Sequence, residues 1–141
     1  FMKQHLANLA LVVRDYDEAI EYYTKTLDFE LIEDTVLSPE KRWVVIAPPG
    51  ASETGLLLAK AANEEQEKYI GNQAGGRVFL FLFTDDFWRD YNKYQERKVK
   101  FIREAVKEAH GTVAVFEDFY GNKWDLIEPS NANKGLKNYL A

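Results

Sequence analysis

Two histidines and no cysteine narrow the chemistry open to this chain. Without thiols there is no disulfide, no thiolate nucleophile and no cysteine metal site. A histidine-based metal centre would need both imidazoles, His5 near the start and His110 just before Gly111. The chain holds no G-x-S-x-G, no phosphate-cradling G-x-x-x-x-G-K-[ST] and no H-E-x-x-H. Gly75-Gly76-Arg77 reads as entry to a strand rather than a nucleotide loop. The guanidinium of Arg77 could fork onto an anionic ligand, with a solvated strand-end arginine as the plain alternative. Nine Phe, eight Tyr and three Trp are enough to line a pocket as well as fill a core. Trp43, Phe79, Phe83 and Trp124 are candidates for stacking on a ligand, and core packing is the default for each. An acidic, aromatic-rich chain slightly favours a planar or cationic ligand.

A repeated unit must position these residues. Leu11-Val12-Val13-Arg14-Asp15, a helical stretch and Phe29-Glu30-Leu31-Ile32 come first. Phe81-Leu82-Phe83-Thr84-Asp85, another helical stretch and Phe101-Ile102-Arg103-Glu104 come later. Both passages read strand, helix cap, amphipathic helix, turn, strand. In the first, His5 to Val13 alternates as a strand, with Asn8, Ala10 and Val12 on its smaller, more polar face. Asp15 and Glu18 have capping-box spacing, and Ala19, Ile20, Tyr23 and Leu27 recur at helical spacing. Strands are expected over 29–36, 42–47 and 55–60, with Pro39 in a turn and Pro48-Pro49-Gly50 ending the third. Residues 61–76 read as a linker, in which Asn63 caps a short helix running to Tyr69 or Ile70.

In the second unit the run Val78 to Phe83 is apolar on both faces, as in a strand covered on both sides. Asp85 or Asp86 caps a helix whose buried side is Phe87, Trp88, Tyr91 and Tyr94. Strands follow over 99–103, 112–117 and 123–128, the last two joined by a hairpin with Gly121 at a positive φ. Residues 130–141 form a tail of one or two helical turns. The expected architecture is α+β: one domain of two βαβββ modules, about 3–60 and 77–129. Such a duplication builds a cleft, where a ligand would sit.

Composition trims the remaining classes. Eighteen basic against 23 acidic residues give a net charge of −5, and no basic stripe suits nucleic acid. The longest apolar run, Val78 to Phe83, is far too short to span a bilayer. The chain opens with no signal-peptide pattern, and the missing cysteines fit a reducing cytoplasm.

The order of elements, with these words in it, resembles the glyoxalase/bleomycin-resistance/dioxygenase superfamily, the vicinal oxygen chelate fold. Leu11 to Asp15 with Ala19-Ile20-Glu21-Tyr22-Tyr23 and Leu27-Asp28-Phe29 is similar to its opening strand and helix. Phe83-Thr84-Asp85-Asp86 with Val99-Lys100-Phe101 is similar to the second module's opening. Phe116-Glu117-Asp118-Phe119-Tyr120-Gly121-Asn122-Lys123-Trp124-Asp125-Leu126-Ile127-Glu128-Pro129 is similar to its closing hairpin, the most specific of the three. The likeness covers residues 3–129.

That resemblance implies two modules forming a cupped mixed sheet, usually dimeric. The cup often holds a divalent metal (Mg, Mn, Zn, Ni or Fe) bound by His and Glu, which grips two adjacent substrate oxygens. Other members have no metal and sequester drugs. Carried onto this chain, the first ligand slot falls on Asn8. His5, three residues away, points to the opposite face of the strand. The second falls on Leu57 or Leu58, the third on Arg77 or Phe79, and the fourth on Asp125. His110, at a loop edge, could reach the cup mouth. Asn8, His5, His110 and Asp125 are the only weak metal candidates. The plain alternatives are an Asn8 serving its backbone, a surface His5 and a solvent-facing Asp125. The expected ligand pocket comprises Asn8, Trp43, Leu57, Arg77, Phe79, Phe83, His110, Trp124 and Asp125. The leading expectation is a metal-free small-molecule binder. The alternatives are a metal-dependent lyase or dioxygenase and a structural or regulatory dimer.

Overall fold

A computed structural model describes residues 2–136. The chain divides after Ile70 into two compact units. Each is built on a four-stranded mixed sheet, as the α+β expectation requires.

The first unit runs β1 (Asn8–Val13), α1 (Tyr16–Lys25), β2 (Glu30–Ser38), β3 (Lys41–Ala47), β4 (Gly55–Lys60) and the short α2 (Glu64–Glu67). The sheet order is β1-β4-β3-β2, with β1 and β4 parallel and the other pairs antiparallel. Asp15 caps α1, its carboxylate accepting from the Glu18 amide at 2.9 Å. The buried side of α1, with Tyr16, Ala19 and Tyr23, packs on β2, β3 and β4, where Val44, Ile46 and Leu58 are buried. Arg42 on β3 binds the sheet to the helix. Its guanidinium donates to Asp34 at 3.0 and 2.7 Å and to Asp17 at 2.9 Å, and lies 5.1 Å over the Tyr16 ring. Asn63 caps α2 as expected, but that helix stops at Glu67, short of Tyr69.

The second unit repeats the plan: β5 (Val78–Phe83), α3 (Phe87–Glu96), β6 (Lys100–Glu108), β7 (Gly111–Glu117) and β8 (Lys123–Pro129). Its order is β5-β8-β7-β6. Asp86, not Asp85, is the cap of α3. Phe87, Tyr91 and Tyr94 are buried against the sheet, whereas Trp88 is exposed, so the expected four-residue buried side has three members. Trp88 follows Phe87 by one helical step, which turns it off that face.

The hairpin between β7 and β8 is organised by the buried Asp118. Its carboxylate accepts from the amides of Tyr120 and Asn122, both at 3.0 Å, from Asn122 Nδ2, and from Trp124 Nε1 at 3.0 Å. Gly121 takes φ +99° there, the expected left-handed turn residue.

Two expectations fail at the strand level. Residues 5–7 are not in β1, so His5 has no strand face; it is exposed ahead of the sheet. And β5 is an edge strand with one open face: Phe81 is 59% exposed. An apolar run without alternation does not say whether both faces are covered. The tail's described part, 130–136, is a turn tied to the β6–β7 loop by Asn133, whose amide donates to His110 O. Any helical turns beyond it lie outside the described residues.

Candidate functional site

In each unit the long helix, α1 or α3, packs on one face of the sheet, and the strand register sets out which residues share the face turned away from it, called here the open face. In the first sheet that open face carries Asn8, Ala10 and Val12 from β1, Leu57 from β4, and Val45 and Trp43 from β3. Ala10 pairs with Leu57, Leu57 with Val45, and Trp43 with Thr35. Asn8 is exposed and pairs with Gly55. A Cβ at Gly55 would stand 2.9 Å from both Ile46 O and Val45 Cγ1, and 3.6 Å from Asn8 Oδ1. The glycine is thus sterically required, and the Asn8 amide hangs beside the gap it leaves. Of the two leucines open for the second slot, Leu57 is on the open face; Leu58 is 1% exposed beneath α1.

In the second sheet the open face carries Phe81 and Phe83 from β5, Asp125 and Ile127 from β8, Val115 from β7 and Arg103 from β6. Phe81 pairs with Asp125, Asp125 with Val115, and Val115 with Arg103, so these four form one row across the sheet. Oδ1 of Asp125 is buried and has no hydrogen-bond partner among the described residues. Burial pushes its pKa up, and the nearby Arg103 charge pulls it down only in part. One row further, Glu117 is paired with Lys100 at 3.1 Å, and Lys123 Nζ donates to Gly76 O at 2.8 Å.

The remaining expected pocket residues lie elsewhere. Trp124 is a correction: it is 2% exposed, its ring stacks on Phe116 with centroids 5.8 Å apart, and its Nε1 is engaged by Asp118. It precedes Asp125 on one strand, and alternation sends the two to opposite faces. Phe79 falls at the register shift between Val78 and Leu80. It lines a cavity of about 20 Å³ with Arg77, Gly71, Gly121 and Asn122, room for about one water. Arg77 is exposed ahead of β5. His110 is exposed in the β6–β7 turn, at the end of β7 remote from Glu117. His5 joins none of these groups. Phe81 and Arg103 escaped the sequence reading. Phe81 stands two residues before Phe83 on one strand, a signal that could have found it.

The four positions that the family likeness assigns to metal ligands are therefore Asn8, Leu57, Phe79 or Arg77, and Asp125. As a donor set they offer one carboxylate and one neutral amide. A catalytic zinc site takes three protein ligands, and soft or borderline metals favour imidazole or thiolate; one carboxylate and one neutral amide do not fit such a site. Among the described residues no cluster of three His, Asp or Glu side chains exists that could.

The family model described as Glyoxalase/Bleomycin resistance protein/Dioxygenase superfamily matches residues 5–126. An uncharacterised protein of Shewanella frigidimarina (strain NCIMB 400) is 59% identical over 128 residues, covering 90% of this chain and 95% of its own. A lactoylglutathione lyase of Escherichia coli O157:H7 is 29% identical over 136 residues, covering 94% and 98%. The crystal structure of TnmS3, an antibiotic binding protein from Streptomyces sp. CB03234, is similar with TM-score 0.73 and 29% identity, covering 92% of this chain and 99% of that one.

Proposed function

The chain belongs to the glyoxalase/bleomycin resistance protein/dioxygenase superfamily, and on that premise we propose that it is a metal-free member that binds a small organic molecule on the open faces of its sheets. The observation that carries this reading is the donor set. Leu57, and Phe79 or Arg77, stand at two of the four positions that the family likeness assigns to ligands, and the open faces offer apolar side chains such as Leu57 and Phe81 as a ligand platform instead. The antibiotic-binding relative supports such a role within the same fold.

The second reading, a metal-dependent lyase or dioxygenase, draws on the likeness to lactoylglutathione lyase. It would require ligands from outside the four assigned positions.

Our reading also places the protein in the cytoplasm as a homodimer. For the dimer, the support is the edge strand β2, which exposes Leu31, Ile32, Val36 and Leu37. Bare edges with apolar side chains are ready to be covered. No helix among the described residues is long and apolar enough to cross a membrane.

A thermal-shift panel tests the binding role. Planar aromatic and cationic drugs are expected to raise Tm without added metal. A panel in which only glutathione adducts or catechols with added metal raise it would support the enzyme reading instead.

A further inference from the structure

We propose that the open face of the second sheet takes a flat aromatic ring bearing an N–H or O–H donor, the ring lying on Phe81 and the donor meeting the carboxyl of Asp125. This rests on the small-molecule reading above and narrows it to a ligand class.

Phe81 carries the first half. It is 59% exposed on an edge strand, an apolar surface that invites a flat partner. Directly across the ladder stands Asp125. Neighbouring strands lie about 4.8 Å apart, so a ring on Phe81 brings its edge over the carboxyl.

Asp125 carries the second half. Its Oδ1 is buried and unpartnered while the residue as a whole keeps partial exposure, so a turn of the carboxyl about its own axis is what presents that oxygen to a ligand lying on Phe81. Such an orphan acceptor costs free energy until a donor reaches it. The surrounding floor is Val115 and Ile127, each 7% exposed, which have no side-chain donor to give. The charged groups facing Asp125 are few. Arg103 lies beyond Val115 and is paired with Glu108, while Glu117 and Lys123 are engaged one row away. A ligand presenting only acceptors would set lone pairs against the carboxylate and leave Oδ1 unpaired. A donor cures both faults, so discrimination by this one group is large for its size.

Indole and benzofuran test this, since they match in shape and differ in one N–H. Each is titrated into the full chain with amide NMR signals as readout. Indole is expected to perturb the signals of Phe81, Val115 and Asp125 and to bind about tenfold more tightly than benzofuran, the effect of one hydrogen bond to a charged acceptor. Asp125→Leu should abolish that preference yet retain benzofuran. Phe81→Ala, a surface change that leaves the fold in place, should weaken both. Equal binding of the two at this face, or a preference that survives Asp125→Leu, overturns the donor assignment and leaves the open-face reading standing. Perturbations confined to other residues, or none with either probe, overturn both.

Discussion

Asp125 and Arg103 flank Val115 in one row of the second sheet, and the carboxyl of Asp125 is held above its ordinary pKa despite the guanidinium two strands away. Burial therefore outweighs the favourable charge. A structural ion pair would show the opposite balance, with the carboxylate driven below its normal range. The arrangement is that of a carboxyl kept short of partners, which suits recognition better than stability.

A pH dependence follows. Because the folded state raises the pKa of Asp125, its contribution is fully favourable below the unfolded value of about 3.8 and is lost as pH rises through the folded value. Asp125→Leu, which copies Leu57 from the first unit, should raise Tm at neutral pH. That gain should shrink as pH falls and vanish below about pH 4. Thermal unfolding of both proteins across pH 3–8 checks it; a gain that grows in acid would contradict it.

Asp118, unlike Asp125, is fully partnered, and removing it should destabilise the fold. Its buried carboxylate collects two backbone amides, the Asn122 side chain and the Trp124 indole. Asp118→Ala strands these donors and should cost about 3 kcal/mol or more in urea unfolding.

Arg42 joins two elements, and its loss should be felt in acid as well as in mutation. Its bidentate hydrogen bonds hold Asp34 below the usual carboxylate range, with burial opposing. That contribution is present above the unfolded pKa and is lost as pH falls through the depressed folded value. Arg42→Ala should therefore cost about 1 kcal/mol at neutral pH, with the difference from the parent narrowing below about pH 4. Chemical denaturation at both pH values measures it.

Lys98 offers a stabilising change. It sits after α3 at φ +63°, where a side chain pays for a left-handed backbone. Lys98→Gly should gain up to about 1 kcal/mol, read as a higher urea midpoint at unchanged m-value.

The duplication was legible because each half writes the same signals in the same order. Asp15 and Asp86 cap their helices, β4 occupies the anticipated residues 55–60, and Gly121 takes the anticipated turn. The site was legible only in part, for physical reasons. Register shifts in β6 between Phe101 and Arg103, and again before Val106, break the period of two, so the face of Arg103 cannot be counted along the chain. In β5 both faces are apolar, so pattern alone cannot say that Phe81 is open. Trp124 is different: its neighbour Asp125 already claimed the other face, and alternation alone would have assigned the indole to the core. That Oδ1 of Asp125 has no partner depends on what surrounds it in space, which no sequence pattern carries.

Elemental analysis of protein purified without chelator tests the central claim most directly. A binder with Asn8, Leu57, Phe79 or Arg77, and Asp125 at the positions assigned to ligands should carry far less than one equivalent of zinc, nickel, iron or manganese per chain, and a chelator should leave its Tm unchanged. One equivalent of a single transition metal, with Tm falling on chelation, would contradict it.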